Sequence, residues 1–308
     1  MLRYIAARTG GALAVLAAIT LFVAFGVRLT GDPAVAQFEG GTPPSAEDIA
    51  RIQRALGTNR PFLTQYGAFV ADALRGNLGT SFRSGQPVVA LIAERTPATL
   101  ALATGGMVVA LLAAFPLGTY AATHRNALAD VLIRVGSLLG LSFPNFWLGI
   151  MLILIVAVRL RWLPPSGYSG PESLILPSVT LGIVLASTLV RLVRASLLDT
   201  LGQPYVRTAR AKGLRERVVI GRHALRNALL PVVTFVGLQF GALLGGIVIL
   251  ETVYAWPGIG QLAVSAVVTR DYPVVQGIVV VLACGVILIN LLVDISYGLL
   301  NPRVRVGV

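Results

Sequence analysis

Residues 203–231 read QPYVRTARAKGLRERVVIGRHALRNALLP. Seven of the chain's 25 basic residues fall in this stretch: Arg207, Arg210, Lys212, Arg215, Arg217, Arg222 and Arg226. Glu216 is the one acid among them. Apolar runs of membrane length flank it, at 174–193 and 229–253. A cationic segment between two such runs belongs outside the hydrocarbon, on the side where positive charge accumulates. Pro204 is suited to the first turn of a helix, and Gly213 to ending one or turning the chain sharply. The stretch therefore predicts a short helix, a glycine turn and a second helix that re-enters the membrane at Pro231. Charge alone is also satisfied by a loop that only fixes topology or touches anionic lipid.

The rest of the composition agrees with a chain built for the membrane. Of 308 residues, 56% are hydrophobic and only 12% charged, and mean hydropathy is +0.80. These values exclude an ordinary soluble domain and predict an all-α polytopic membrane protein. The net charge of +12 is divided among loops beside the apolar runs. Topology accounts for it better than a nucleic-acid partner does. Cys284 is the single cysteine, which excludes an intrachain disulfide. His124 and His223 lie far from it in sequence, so no metal site is expected. The chain's one lysine, Lys212, is followed by Gly213, so no phosphate-binding loop of the G-x-x-x-x-G-K-[ST] form exists. Neither G-x-S-x-G nor H-E-x-x-H occurs, which leaves no visible catalytic residues for a membrane hydrolase.

Taken in order, Arg3 and Arg8 precede an apolar run at 9–27. A run of about 19 residues fits a retained first span better than a signal-peptide core. Residues 1–30 are thus an N-terminus with its first membrane helix. Residues 31–96 form a polar helical segment, within which Ser45 is placed to cap a helix that Gly57 stops, and Pro61 to open another. Residues 97–302 supply five further spans, expected at 98–122, 131–158, 174–193, 229–253 and 274–300, before a short tail at 303–308. Pro116 and Pro144 are expected to kink their helices. Ser142 and Asn145 beside Pro144 are polar groups at membrane depth that either satisfy backbone freed by the proline or face a translocation pathway. Gln239 and Glu251, both within the fifth span and on either side of its glycines, are further candidates for such a pathway. Gly237, Gly241 and Gly245 recur every four residues, a small-residue stripe for close packing within this chain or against a second membrane subunit. Residues 252–273 are expected as a loop whose Trp256, Pro257, Gly258, Ile259 and Gln261 either offer a contact surface to a partner outside the membrane or anchor at the lipid interface.

Six spans place both termini on one face. That face carries 14 basic residues, against three (Arg159, Arg161 and Arg270) in the short opposite loops. The termini are therefore expected in the cytoplasm and the 31–96 segment outside it.

The order of residues in 203–231 resembles the cytoplasmic coupling loop of ABC importer permeases of type I. There, Glu-Ala-Ala is followed by three residues and then glycine. The matching residues here are Arg207-Thr208-Ala209, Arg210-Ala211-Lys212 and Gly213, with arginine in place of the glutamate. The later Ile-x-Leu-Pro of the motif falls on His223-Ala224-Leu225-Arg226, without its isoleucine and proline. The strings YVRTARAKGL, ETVYAWPGIGQL and RDYPVVQG are similar to the oligopeptide, dipeptide and nickel permease branch, dipeptide permease B-like members in particular. The resemblance implies a transport subunit of the bacterial inner membrane, importing small peptides or, more rarely, nickel chelates or other small solutes. Its implied partners are a second homologous permease, two ATP-binding subunits that hold ATP and Mg, and an extracytoplasmic substrate-binding protein. It assigns coupling to the ATPase to Tyr205, Arg207, Thr208, Ala209, Arg210, Ala211, Lys212, Gly213 and Leu214, with no cofactor on this chain. The competing reading is a stand-alone ion-coupled transporter, which needs ionisable groups within the membrane. The chain offers Asp294 and Glu251, both toward helix ends, and that reading leaves the basic segment without a role.

Overall fold

The computed structural model describes residues 2–29, 31–36 and 45–300. Among these the regular structure is helical, apart from one isolated antiparallel bridge between Thr80 and Pro87. The helices, in chain order, are α1 (Leu2–Arg28), α2 (Pro33–Ala36), α3 (Ala46–Leu56), α4 (Phe62–Ala73), α5 (Val88–Thr123), α6 (Leu128–Ser142) and α7 (Asn145–Leu152). They continue with α8 (Ile175–Leu201), α9 (Pro204–Ala211), α10 (Glu216–Val218), α11 (Leu225–Gly246), α12 (Val248–Val253), α13 (Ile259–Val268) and α14 (Tyr272–Leu300). Wider π-helical turns extend α7 over Ile153–Arg159 and join α10 to α11 over Val219–Ala224.

Four helical stretches among the described residues are long and apolar enough to cross a membrane: Val88–Thr123, Pro171–Leu201, Glu216–Leu243 and Tyr272–Leu292. Leu128–Ser142 and Asn145–Arg159 make a fifth if the pair is one broken span. In α1 the apolar stretch is Ala14–Gly26, shorter than a full crossing.

Local chemistry explains most boundaries. Ser45 caps α3 in a reciprocal arrangement, its hydroxyl accepting from the Asp48 amide while the Asp48 carboxylate accepts in return. Gly57 ends α3 with φ +69°, a left-handed cap. The span expected at 131–158 is broken by a 99° bend. Pro144 has no N–H to donate, and its ring forces Phe143 into an extended conformation at φ −89°, ψ 133°. Pro116, also expected as a kink, sits within the continuous helix α5. The fifth span is divided at Ile247, directly after the Gly245-Gly246 pair.

The chain forms two compact units: Met1–Thr99 with Pro257–Ile287, and Leu100–Trp256 with Leu288–Val308. Residues 257–287, read from sequence as part of the permease core, thus cluster with the N-terminal segment. The core of this first unit gathers Leu78, Val88, Ile92, Ile259, Ala266, Tyr272, Val274, Val275 and Ile278. Asp271, buried there, accepts from Ser81 Oγ at 2.5 Å and from the Phe82 amide at 3.0 Å.

In the second unit α8 is the central helix, with buried residues along its length from Leu176 to Thr200. Its neighbours approach over glycine. A methyl group on Gly118 would lie 2.8 Å from Val193 Cβ and 2.9 Å from the Val190 carbonyl. One on Gly182 would lie 2.4 Å from Val109 Cγ1. Such contacts let helices pack by dispersion where lipid offers no hydrophobic advantage.

Candidate coupling segment

Helix α9 forms where the sequence placed it. Pro204 occupies the first turn, and Gln203 before it is extended, at φ −71°, ψ 147°. Val206 and Ala209, three residues apart and so on one face, are buried. They pack with Ala122, Leu197, Val219, Ala224 and Ala228, so the segment stands on this chain's own core. Tyr205, Arg207, Thr208, Arg210, Ala211, Lys212 and Leu214 are exposed. Gly213 turns the chain at φ +75°, its amide donating to the Arg210 carbonyl at 2.9 Å.

Two ties orient this helix. Arg210 Nη2 lies 2.6 Å from Glu216 Oε1, and Arg210 Nε donates to both carboxylate oxygens at 3.2 Å, spanning the glycine turn. These hydrogen bonds raise the Arg210 pKa above its ordinary value. On the other flank Asn227 Nδ2 donates to the Tyr205 hydroxyl at 2.8 Å. The segment is therefore a small polar platform with a fixed inner face and a free outer one.

A second polar cluster in the same unit was not singled out in the sequence. Asp130, fully buried at the start of α6, receives Arg194 Nε at 2.6 Å and Nη2 at 2.8 Å from α8. The Asn126 amide donates to it at 3.0 Å, and Arg134 Nε stands 3.5 Å away. The two-point guanidinium contact and the amide together satisfy a carboxylate that burial would otherwise penalise. An acid two residues into a helix beside a basic loop is the only hint the sequence carries.

The other sequence-designated residues are dispersed. Ser142 is exposed at the bend and donates back to the Leu138 carbonyl at 2.9 Å, and Asn145 opens α7. The Ser142 bond is a local return to the carbonyl one turn earlier within α6. Gln239 is half-buried on α11, and Glu251 is fully buried on α12. Of the glycine stripe, Gly241 lies against Ile289 and Asn290 of this chain, with a methyl there 3.3 Å from Ile289 Cγ2. A methyl on Gly245 would meet nothing within 4 Å among the described residues, and Gly237 is half-buried. Asp294 lies outside the residues whose side chains are described.

The expected loop at 252–273 is corrected. It contains the helix α13. Trp256 and Ile259 are 1% and 3% exposed, so they serve the chain's own interior rather than a contact surface. Trp256 meets Tyr168 edge to face, with ring centres 5.4 Å apart. The Ile259 amide donates to Thr99 Oγ1 at 2.8 Å. Gly258 is buried, and Pro257 and Gln261 are half-buried. Aromatic residues in a turning, proline- and glycine-rich stretch read equally as surface or core, because burial is not local information.

Residues 114–306 match the family described as "Binding-protein-dependent transport system inner membrane component", and residues 1–103 match the N-terminal component of the same systems. The chain belongs to this family: it is a permease subunit of an ABC importer of the peptide and nickel group, a multi-pass inner-membrane protein and a transport component rather than an enzyme. It is 42% identical over 306 residues to the glutathione transport system permease protein GsiC of Salmonella paratyphi A, covering 99% of each chain. It is 41% identical over the same length to GsiC of Escherichia coli strain K12. Its fold is similar to chains of the MetNI methionine ABC transporter in inward-facing conformations. These give TM-scores of 0.59 and 0.60 at 20% identity, covering 68% and 69% of this chain and 96% and 97% of theirs.

Proposed function

We propose that this chain forms one half of the translocation pathway of an ATP-driven importer for glutathione or another short peptide. It does so with six spans and cytoplasmic termini, and it couples to a separate ATPase through residues 203–231. The observation that carries the reading is α9: a polar helix founded on Val206 and Ala209, with its other face free. It lies in a chain without a phosphate-binding loop of its own. The full-length likeness to glutathione permeases supports a peptide-sized substrate. A second permease, two ATP-binding subunits carrying ATP and Mg, and an extracytoplasmic binding protein complete the assembly. Initial selection of substrate rests with the binding protein.

Reconstitution of these subunits in proteoliposomes tests the reading. Uptake of glutathione or di- to tetrapeptides should require ATP, the ATPase subunits and the binding protein together. Uptake by this chain without the ATPase, driven by a proton or sodium gradient, would overturn it. Preferential uptake of a nickel chelate would reassign the substrate alone.

A further inference from the structure

We infer that α4 is an interfacial helix, its outer face resting on the acyl chains of the extracytoplasmic leaflet and phospholipid phosphates lying at its two ends. The inference rests on α1 as the first span, with Arg28 at its outer end.

Helix α4 is turned the wrong way for water. None of its 12 residues is buried. The exposed ones are Leu63, Thr64, Gly67, Ala68 and Ala71, followed by Leu74 at the cap. At spacings of three and four they form one face. That face carries no charge, and Leu63 and Leu74 on it are 75% and 85% exposed. Helix α3 of the same segment exposes Glu47, Arg51 and Arg54 instead, as a helix facing water does. The polar groups of α4 are directed inward. Gln65 Nε2 donates to the Thr58 and Arg60 carbonyls at 3.0 and 2.6 Å, and its Oε1 accepts from Arg28. The Tyr66 hydroxyl donates to the Ala17 carbonyl at 3.2 Å and lies 2.9 Å from Thr20 Oγ1.

The tyrosine contacts fix the depth. Ala17 and Thr20 belong to the apolar stretch Ala14–Gly26 of α1. They lie about 16 and 12 Å from Arg28 along the helix axis. The hydrocarbon of one leaflet is about 15 Å thick. With Arg28 at the headgroups, the Tyr66 hydroxyl meets α1 inside the hydrocarbon, where its partners have to come from protein. Gln65, the next residue, holds Arg28 and so keeps the α4 backbone near the interface. Phe62 joins the two helices: the Arg28 guanidinium lies 4.9 Å over its ring, and Phe25 meets it edge to face at 5.9 Å. Phe22 and Phe25 are themselves exposed on α1. The lipid-facing side of α1 thus continues through Phe62 onto Leu63.

Arg60 and Arg75 stand just beyond the two ends of α4, both exposed. Arg75 approaches Asp72 only to 3.9 Å. Their apolar stems can lie along the acyl boundary while the guanidinium tips reach phosphates. A soluble partner docks above the headgroups and does not reach the level of Tyr66. Lipid accounts for the depth, the uncharged face and the terminal arginines together.

The test uses the full chain with Cys284→Ser, assembled with its partner subunits in vesicles of phosphatidylethanolamine and phosphatidylglycerol. Single cysteines carry a bimane fluorophore. Nitroxide on the lipid acyl chains should remove roughly half of the fluorescence from Leu63→Cys and Leu74→Cys, and aqueous iodide should remove little. Arg51→Cys on α3 should show the reverse. Phe22→Cys reports whether α1 spans the membrane, and nitroxide lipid should quench it. Iodide quenching at positions 63 and 74, with lipid quenching at 22, would overturn the inference and leave the first span in place. Loss of that iodide quenching on adding the binding protein would give the face to that protein instead. Quenching of 63 and 74 by neither reagent would place another subunit over the face and equally overturn the inference. No lipid quenching at 22 would remove the first span, and with it both the inference and the six-span reading.

Discussion

Gly213 separates two requirements of a turn, conformation and room. Its φ is +75°, and a methyl group built on it would have no heavy atom within 4 Å. Space is free, so the backbone alone resists substitution. A non-glycine residue in this region costs about 1–3 kcal/mol, least for asparagine and most for a β-branched side chain. Gly213→Asn should therefore retain most ATP-driven transport. Gly213→Val should insert in the membrane at normal levels but lose severalfold in transport and in substrate-stimulated ATP hydrolysis. Comparing the two variants in proteoliposomes checks this, and equal activity would mean that the turn is not required. Asp130 is the opposite kind of residue, since its strongest partner is Arg194, 64 positions away, with the Asn126 amide beside it. Removing Arg194 would leave the buried Asp130 carboxylate without its two-point partner, at a cost of about 3–5 kcal/mol.

Helix pairs in the second unit depend on where glycine meets backbone. At Gly118 the nearest obstacle includes the Val190 carbonyl, which cannot rotate aside as a side chain can. Gly118→Ala should therefore force α5 away from α8 and destabilise the fold by about 1–3 kcal/mol. Gly245→Ala meets nothing within 4 Å among the described residues, so the isolated subunit should keep its stability. Thermal unfolding in detergent distinguishes these cases. Equal melting of the two variants would show that the α5–α8 approach is looser than described. Both glycines lie in apolar helices, and nothing in their immediate sequence separates them. The break at Pro144 is different, because proline and the residue before it carry their restriction locally.

Orientation in the membrane follows from charge summed over the chain rather than from any one contact. The 14-to-3 distribution of basic residues predicts cytoplasmic termini. In a Cys284→Ser background, cysteines placed singly at the exposed positions Ser84 and Ser265 should react with an impermeant thiol reagent in intact cells. One at Arg215 should react only after permeabilisation. The reverse pattern would invert the topology and place α9 on the wrong side for an ATPase. The division into units was less legible. Residues 257–287 join the N-terminal unit because Ile259, Ala266, Tyr272 and Ile278 share a core with Leu78, Val88 and Ile92. Contacts between residues so far apart leave no periodic mark on either stretch.

By itself the sequence determined the membrane class, the helical architecture, the position and glycine turn of the basic segment, and the family resemblance. Each of these is written in composition, apolar run length, proline and glycine placement, or residue order, and each is local or additive along the chain. The tertiary structure alone decided which face of α9 is anchored and which is free, because that depends on the core built by Ala122, Leu197 and Ala228. It also decided that Trp256 and Ile259 are interior, and that Asp130 is held by Arg194 rather than facing solvent. Burial and charge pairing arise only when distant segments meet. The same aromatic or ionisable residue is therefore surface, core or strut according to partners that its own sequence neighbourhood does not specify.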